Sequence, residues 1–390
     1  MTPTVLMLVT KDVNPDPRVE KEAAALSRAG LKVRVVGISD GLRTCRVTND
    51  SRGFDIIRLP NPRTLSGRFR SGWLSSMMRI GRYYLECLRR MKLLLDGVSV
   101  VHCHDFDTLP LGYSLAKLWG SRLVYDSHEA FSGMFSESVP PIVSYLVDML
   151  ERMLSRKAQV ITVGKLLSER FRAFTGRPAL ILRNVPSDWP EIPHHGVQEK
   201  LVIGYVGGLL SDRCIDELVK GFADFAQTGA NTELRLAGFG PMESYLKKKL
   251  QNIDAPIEFV GKIPYSDVPK FLSQLSISVI LFSRRNKNNF YSSPNKLFES
   301  CLVGTPVLAS NFGELAWLVN RHHLGWTVNP DDPDDIRRSL EKIYALRSEL
   351  SKMRQTVLTT SRETFQWSSV ERDLLTFYRS LAPRTDSGFG

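Results

Sequence analysis

Short apolar runs rich in β-branched residues alternate with amphipathic stretches along the whole chain, and this alternation constrains the fold more than any other feature. In the first half, the runs occupy residues 5–9, 33–38, 56–59, 100–104, 123–125, 160–163 and 180–182. Between the first two runs, apolar residues from Val19 to Ala29 recur at helical spacing until Gly30 ends the stretch. Strands that alternate with helices in this way predict a doubly wound, mainly parallel α/β sheet.

The alternation is interrupted at residues 185–199, which are rich in proline, histidine and charge and have no apolar period. It then restarts, with strand-like runs at residues 201–206, 234–237, 257–260, 277–282 and 306–309. A chain of 390 residues exceeds the roughly 250–300 residues at which single cores stop growing. We therefore expect two Rossmann-like domains, at residues 1–184 and 185–366, and a terminal helix with one apolar face.

The net charge of +11 is concentrated in one segment. Residues 41–100 contain twelve Lys or Arg and four Asp or Glu, so they carry 12 − 4 = +8. This indicates an anionic partner, either a membrane surface, a nucleic acid or a phosphorylated substrate, unless the segment is a solvated basic face. No nucleic-acid recognition motif accompanies the charge, so no nucleic-acid partner is expected.

Cysteine usage and hydropathy indicate the cellular compartment of the protein. The five cysteines have no paired spacing, which predicts reduced thiols and neither a disulfide framework nor a zinc site. No uninterrupted apolar run reaches the roughly 18 residues of a membrane-spanning helix. The apolar N-terminus lacks a basic leader and a cleavage site, so a buried strand is expected there. We expect a cytoplasmic protein, or one peripheral to the inner face of the membrane.

The loop after the first strand lacks the Gly-x-Gly-x-x-Gly turn that a nicotinamide- or flavin-binding domain places there. Arg18 opens the helix that follows, and a helix N-terminus favours anions. Arg18 is expected either to contact a phosphate or an acceptor, or to be a surface charge.

The segment HCHDFD, residues 102–107, ends a predicted strand, where α/β sheets hold their ligands. His102, His104 and Asp107 could ligate a metal ion, as in a metal-dependent hydrolase. Asp105 and Asp107 could instead hold a cation on a nucleotide diphosphate. No further ligand cluster is evident, and such residues also cap helices.

The segment DSHE, residues 126–129, ends the next strand in the same way. Two adjacent strands thus bring His104 and His128 to one rim of the sheet. A neutral histidine there could accept a proton or bind a hydroxyl, which suits carbohydrate chemistry. The alternative is a pair of buried, hydrogen-bonded core histidines.

In the second half, a predicted strand ends at Gly207 and Gly208, with Arg213 just before the next helix. Glycines let the backbone approach a phosphate, and the helix N-terminus and the guanidinium supply positive charge. A glycine pair alone indicates only a tight turn.

The segment SSPNKLFESCLVGTPV is the most informative stretch. Ser293 and Pro294 start a helix that carries Asn295 and Lys296 in its first turn, a cradle suited to anions. Glu299, about one turn later, could accept hydrogen bonds from sugar hydroxyls.

These segments resemble motifs of the retaining glycosyltransferases of family 4, which have the GT-B fold of two Rossmann-like domains with parallel sheets facing across a cleft. The resemblance covers nearly the whole chain, in the family's order: DPRVEKEA, VHCHD, YDSHE, RNVP, LAGFG and FVGKI. It implies that residues 367–383 cross back onto the first domain, which would bind the acceptor. The second domain would bind the nucleotide-sugar donor.

The resemblance also implies roles for single residues. The donor would contact Gly207, Gly208, Arg213, Lys262, Ile263, Ser293, Pro294, Asn295, Lys296 and Glu299. The acceptor or sugar side would comprise Arg18, His104, Asp105, His128 and Tyr291. Arg213 would hold the diphosphate, Glu299 would bond the ribose and His128 would lie beside the transferred sugar, so these three are the expected catalytic residues. No cofactor or metal is implied, since side chains and helix dipoles would neutralise the leaving diphosphate.

Two positions depart from the family's pattern. Many members carry a glutamate where this chain has Tyr291, so contacts to the donor sugar cannot be transferred from them. Many also have an arginine where Gly208 stands, which leaves Arg213 as the single cation near the glycine turn. An inactive relative that binds nucleotide sugars is therefore an alternative.

The resemblance implies retaining transfer of a hexose-type sugar, with a donor phosphate oxygen helping to deprotonate the acceptor. Arginines interleave with apolar residues in residues 68–95, which favours contact with a membrane surface. We therefore expect a lipid-linked glycan acceptor in bacterial surface polysaccharide assembly. The alternatives are a nucleotide-sugar epimerase, a non-catalytic sensor and the metal-dependent hydrolase of His102, His104 and Asp107.

Overall fold

The computed structural model describes residues 3–14, 16–39, 42, 44–60, 73–90, 97–131, 140–187, 192 and 199–381. The chain divides into two compact units. Unit 1 is Met1–Arg183 with Ser368–Gly390, and unit 2 is Asn184–Trp367. Most of residues 185–199 and both ends of residues 68–95 lie outside the described residues, so the structure describes only parts of the expected linker and membrane segment.

Unit 1 is built on an eight-stranded sheet with the order β3-β4-β2-β1-β5-β6-β7-β8. The strands are β1 Thr4–Leu8, β2 Lys32–Ser39, β3 Arg46–Asn49, β4 Asp55–Pro60, β5 Val98–His104, β6 Arg122–Ser127, β7 Gln159–Thr162 and β8 Leu180–Ile181. All neighbours pair in parallel except β3, which runs antiparallel to β4. Every residue of β1 is buried, as expected for a central parallel strand.

The helices of unit 1 are α1 Pro17–Arg28, α2 Trp73–Arg89, α3 Leu109–Trp119, α4 Pro141–Ser155, α5 Lys165–Thr175 and the terminal α13 Trp367–Leu381. Helix α1 starts where the Asp16 side chain accepts from the backbone N–H of Val19 and Pro17 fixes the first turn. In α13, Leu374, Tyr378 and Leu381 are buried.

Unit 2 is built on a six-stranded parallel sheet with the order β11-β10-β9-β12-β13-β14. The strands are β9 Leu201–Gly208, β10 Thr232–Phe239, β11 Ile257–Gly261, β12 Ile277–Ile280, β13 Val307–Ser310 and β14 Gly325–Val328. The helices are α6 Ile215–Ala226, α7 Glu243–Leu250, α8 Val268–Ser273, α9 Asn295–Leu302, α10 Gly313–His322, α11 Pro333–Ala345 and α12 Leu350–Thr364. The predicted α/β class is thus confirmed in both units.

Two strands, β3 and β14, were not predicted from the sequence. Most of β3 is exposed and β14 is only partly buried, so neither produces a buried apolar run. Within the residues that the structure describes, no helix combines the length and the apolar character needed to cross a membrane.

Candidate functional site

The carboxyl ends of β5 and β6 lie side by side at one edge of the unit 1 sheet. The register pairs His104 with Asp126, and the backbone N–H of Asp105 donates to the Asp126 carbonyl at 3.0 Å. His128 follows two residues later, and its ring centroid lies 5.6 Å from that of His104. The two strand ends therefore bring His104, Asp105 and His128 together, as predicted.

Arg18 reaches this edge from the first turn of α1. Its Nε and Nη2 donate to Asp126 Oδ2 and Oδ1 at 2.9 and 2.8 Å, and Nη1 donates to the Leu182 carbonyl at 2.7 Å. Nε is also 3.1 Å from a carboxylate oxygen of Glu22. Arg18 is 5% exposed, so it is not the surface charge that the sequence left open. Its guanidinium fixes Asp126 and leaves little surface for direct contact with an acceptor.

His128 lies between two carboxylates. Its Nε2 is 3.0 Å from Asp126 Oδ2, and its Nδ1 is 3.4 Å from Asp105 Oδ2. Burial opposes a charge on the ring, but Asp105 and Asp126 raise the pKa of His128 to about 9. The neutral histidine expected from the sequence is therefore not found. At neutral pH the ring is a cation that donates hydrogen bonds, not a general base.

Asp105 has an unusual backbone conformation, with φ 62° and ψ 164°. This region is nearly restricted to glycine and costs a side-chain-bearing residue about 1–3 kcal/mol. The conformation is held by the bond to the Asp126 carbonyl, and Asp105 Oδ1 accepts from the His128 backbone N–H at 3.3 Å. Strain of this kind concentrates at functional sites.

Behind His128, His102 and His104 stack with their ring centroids 4.3 Å apart. His102 Nδ1 is 2.6 Å from the hydroxyl of Tyr378, which comes from α13. Burial and the neighbouring His104 lower the pKa of His102 well below its usual value, so this ring is neutral. Tyr378 was not identified from the sequence because only the fold brings α13 to this strand.

Four buried side chains here could hold a metal ion: Glu22, His102, His104 and Asp126 have ligand atoms within 4.8 Å of one another. This set differs from the one proposed from the sequence, because the Asp107 carboxylate accepts from the Thr10 hydroxyl instead. Burial favours the protonated form of Asp126, but Arg18 and His128 hold its pKa well below its usual range. A divalent cation would have to share Asp126 with these two cations, which disfavours the metal-dependent hydrolase.

In unit 2, β9 ends at Gly207 and Gly208, and the Tyr205 hydroxyl donates to the Gly208 carbonyl at 2.6 Å. The end of β10 approaches closely, so that a Cβ atom on Gly238 would lie 2.0 Å from the Gly207 carbonyl oxygen. A Cβ on Gly208 would meet only Leu210, at 3.6 Å or more. Close backbone approach thus requires glycine at 238, whereas 208 has room for a side chain.

Arg213 lies in the turn between β9 and α6. Its Nη1 is 2.9 Å from Asp212 Oδ2, and its guanidinium stacks 4.5 Å from the centroid of the Phe282 ring, which follows β12. The backbone N–H of Ser283 donates to the Asp212 carbonyl at 2.9 Å, which ties this turn to the end of β12. The side chain is 26% exposed, so a ligand anion can reach it. This contact could not be predicted from the sequence, in which Phe282 is simply an apolar residue next to a strand.

One turn into α9, a buried carboxylate is held by two donors. Glu299 is 2% exposed, and its Oε2 accepts from Lys296 Nζ at 2.6 Å. Its Oε1 accepts from the Tyr265 hydroxyl at 3.1 Å. Burial and Glu299 raise the pKa of Tyr265, so the phenol remains a donor. Tyr265 was not identified from the sequence because it lies on a different loop, 34 residues from Glu299.

Helix α9 begins at Asn295 after Pro294, and no side chain caps it, so its first N–H groups are open to an anion. The Ser293 hydroxyl oxygen beside this turn is buried and has no hydrogen-bond partner among the described residues. Arg213 and α9 follow β9 and β12, which are neighbours in the parallel sheet. The expected donor residues of these two segments therefore lie at one edge of that sheet.

Lys262 and Ile263 follow β11 and precede Tyr265 on the same loop. Lys262 Nζ lies 4.8 Å from the centroid of the Phe239 ring at the end of β10. Both strands end at the carboxyl edge of the sheet that carries Gly207. Tyr291, which the sequence grouped with the acceptor or sugar side, belongs to unit 2, where its ring packs edge-on against Phe290.

Comparison with known proteins identifies the class. The family model "Glycosyl transferase 4-like domain" matches residues 15–184, and the model "Glycosyl transferases group 1" matches residues 200–345. Together they cover most of both units. The chain therefore belongs to the glycosyltransferases of the family 4 type, as the sequence motifs predicted.

Similar proteins agree with this assignment. An uncharacterized glycosyltransferase of Methanocaldococcus jannaschii is 22% identical over 386 residues, covering 92% of each chain. Sucrose-phosphate synthase from Thermosynechococcus elongatus has a similar structure, with a TM-score of 0.78 at 16% identity, covering 97% of this chain and 99% of the other. Anabaena HepE, solved in complex with UDP, has a TM-score of 0.70 at 13% identity, covering 97% and 100%. The predicted GT-B fold is confirmed.

Proposed function

We propose that the chain transfers a hexose-type sugar, with retention of configuration, from a nucleoside diphosphate sugar to an acceptor bound by unit 1. The observation that carries this proposal is the arrangement of the first five residues of α9. There, an uncapped helix N-terminus, Lys296 and the buried Glu299 come together. Positive charge suits a diphosphate, while a buried carboxylate suits the hydroxyls of a ribose.

The donor would occupy the carboxyl edge of the unit 2 sheet. Arg213 and the N–H groups of Asn295 and Lys296 would neutralise the diphosphate as it separates, and no metal ion would be needed. The ribose hydroxyls would donate hydrogen bonds to Glu299, whose carboxylate Lys296 and Tyr265 hold in place. Anabaena HepE, of similar fold, has been solved with UDP and with UDP-glucose, which supports a nucleotide-sugar donor here.

The sugar side would use the histidine rim of unit 1. Because both ring nitrogens of His128 are held by Asp105 and Asp126, the ring would contribute positive charge and a fixed surface beside the transferred sugar. The acceptor proton would pass to a donor phosphate oxygen, as the family resemblance implies. Arg18 would act as a positioning residue through Asp126, instead of contacting the acceptor itself.

The acceptor would be a lipid-linked glycan in bacterial surface polysaccharide assembly. The charge of +8 in residues 41–100 supports contact with an anionic membrane surface. On α2, Leu85 and Leu88 are 47% and 46% exposed, and Arg82 and Arg89 are also exposed. This mixture of apolar and basic side chains suits an interfacial helix.

Thermal stabilisation by a panel of nucleoside diphosphates and their sugars, with and without chelator, tests the donor site, because a ligand that binds the folded state stabilises it. We expect a selective shift that survives chelator and is lost in Arg213→Ala and Glu299→Ala. Arg338→Ala, an exposed cation on α11, is the matched control and should keep the shift. No shift with any nucleotide would contradict the donor site, and turnover with an acceptor would separate a transferase from a sensor.

A further inference from the structure

Helix α4 of unit 1 carries an apolar stripe that faces solvent. Five side chains on one side of this helix are 49–64% exposed: Ile142, Tyr145, Leu146, Met149 and Met153. Their spacing places them within about 100° of one another around the axis. Within the same helix only Glu151, Leu154 and Ser155 are buried. The stripe, which we call the α4 stripe, extends over about three turns and is larger than the scattered apolar residues of an ordinary surface.

A cationic pocket lies at the carboxyl end of the α4 stripe. It has a volume of about 400 Å³, and its charged lining residues are Lys117, Arg122 and Lys157. None of these three forms an ion pair with a residue that the structure describes. Lys157 lies one turn beyond Met153, and Lys117 comes from α3, which packs against α4. Next to Lys117, Leu118 is 63% exposed.

The pocket is distinct from the histidine rim. Arg122 begins β6 and Gln159 begins β7, so the pocket lies at the amino edge of the sheet. The histidine rim lies at the carboxyl edge, and α4 follows β6 from that edge. A helix of 15 residues is about 22 Å long. The α4 stripe therefore runs alongside the sheet, from the edge that carries His128 to the edge that carries the cations.

We propose that the α4 stripe and this pocket bind an anionic lipid surface, with the stripe in the boundary between headgroups and acyl chains and the pocket on a lipid phosphate. Apolar side chains beside a cluster of cations are the combination that such an interface requires. The proposal concerns unit 1 alone and does not depend on the transfer reaction. The α4 stripe and the pocket form a surface separate from residues 41–100.

Charge favours a lipid surface over a second copy of the chain. The half of α4 from Pro141 to Val147 has no acidic residue, and Arg156 and Lys157, which form no ion pair with a described residue, are exposed just beyond the other end. An antiparallel copy would place those cations against a helix N-terminus, and a parallel copy would place them against one another. Lipid phosphates supply the anions that both of these arrangements lack.

The test is flotation of the full chain with vesicles of phosphatidylcholine alone or mixed with phosphatidylglycerol. We expect binding to the mixed vesicles only, weakening as salt rises. Tyr145→Glu with Met149→Glu should weaken binding about tenfold or more, to the level that residues 41–100 alone support. Lys117→Ala, Arg122→Ala and Lys157→Ala combined should weaken it about tenfold or more.

Matched controls come from exposed residues of unit 2. Tyr245→Glu, and the combination Lys220→Ala, Lys248→Ala and Lys270→Ala, should bind vesicles like the wild type, with all variants keeping the wild-type unfolding transition. Binding at the wild-type level in both α4-stripe and pocket variants would overturn the proposal and indicate residues 41–100 instead. A dimer in light scattering that the stripe variant dissociates would also overturn it.

Free phosphate is distinguished from a lipid headgroup by a further measurement. Inorganic phosphate should protect the pocket lysines from acetylation only weakly, whereas mixed vesicles should protect Lys117 and Lys157 strongly. Equal protection by phosphate alone, together with no vesicle binding, would mean that the pocket takes a soluble anion and would overturn the membrane proposal.

Discussion

The hydroxyl of Tyr378 lies 2.6 Å from Nδ1 of His102, although 276 residues separate them in the chain. Both side chains are buried, and the bond fixes the terminal helix α13 to the strand that carries the histidine rim. The helix thereby helps to orient the ring that stacks on His104. Helix α13 is thus part of the architecture of the candidate sugar site.

Tyr378→Phe is expected to destabilise unit 1 by about 1–2 kcal/mol, because it leaves a buried ring nitrogen of His102 without its partner. Chemical denaturation followed by circular dichroism measures this loss. Tyr245→Phe, which alters a 51% exposed tyrosine of unit 2, is the control and should change little. Equal stability of the two variants would mean that the bond contributes nothing.

Arg18→Ala should cost about 3–5 kcal/mol, since it leaves Asp126 and Glu22 buried without their cation. The matched control is Arg28→Ala on the same helix, which removes a pair with Glu371 whose arginine is 56% exposed. That change should cost less than about 1 kcal/mol. The midpoints of denaturant unfolding curves compare the stability of the two variants. A similar small loss for both would show that the buried pair is not needed for stability.

The stability of unit 1 should fall as pH rises through about 9, the pKa of folded His128. This pKa is raised above the unfolded value of about 6.5, so the stabilisation is fully present below pH 6.5 and disappears as the ring loses its proton. The contribution is on the order of 1–3 kcal/mol. In the His128→Gln variant, the melting temperature should change less across this pH range than it does in the wild type. If the melting temperatures of wild type and variant changed with pH in the same way, this result would contradict a cationic His128.

Tyr265→Phe should weaken nucleotide binding several-fold, because Glu299 loses the donor that orients Oε1 toward a ribose. Glu299 keeps its bond to Lys296, so the effect should be smaller than that of Glu299→Ala. Calorimetric titration with the nucleoside diphosphate that most stabilises the wild type measures the affinity of both variants. If Tyr265→Phe bound nucleotide as tightly as the wild type, Tyr265 would have only a structural role.

Gly208→Arg should fold normally and bind nucleoside diphosphates more tightly, because a side chain at 208 meets only Leu210 and adds a cation near Arg213. A gain of about fivefold to tenfold is expected, which corresponds to about 1–1.4 kcal/mol, the size of one ordinary hydrogen bond. Gly238→Ala is the contrasting variant. Its Cβ would collide with the Gly207 carbonyl, and it should cost about 1–3 kcal/mol or more. If Gly208→Arg were less stable than Gly238→Ala, this result would contradict the described geometry of the glycine turn.

Much of the fold could be predicted from the sequence, because buried parallel strands require continuous apolar runs. The predicted runs at residues 33–38 and 234–237 fall within β2 and β10. The exposed edge strand β3 was missed because an antiparallel edge needs no such run. The candidate donor segments could be located as well, since glycines, Arg213 and the start of α9 are local signals.

The sequence by itself determined the two α/β units, the strand ends that carry His104 and His128, and the helix that begins at Asn295. Only the tertiary structure decided which charges meet. Arg18 and Asp126 are separated by 108 residues, and their pairing changes Arg18 from an expected ligand contact into the support of a buried carboxylate. The protonation of His128 was decided in the same way, because a pKa depends on burial and on nearby charges in space, which spacing along the chain does not specify.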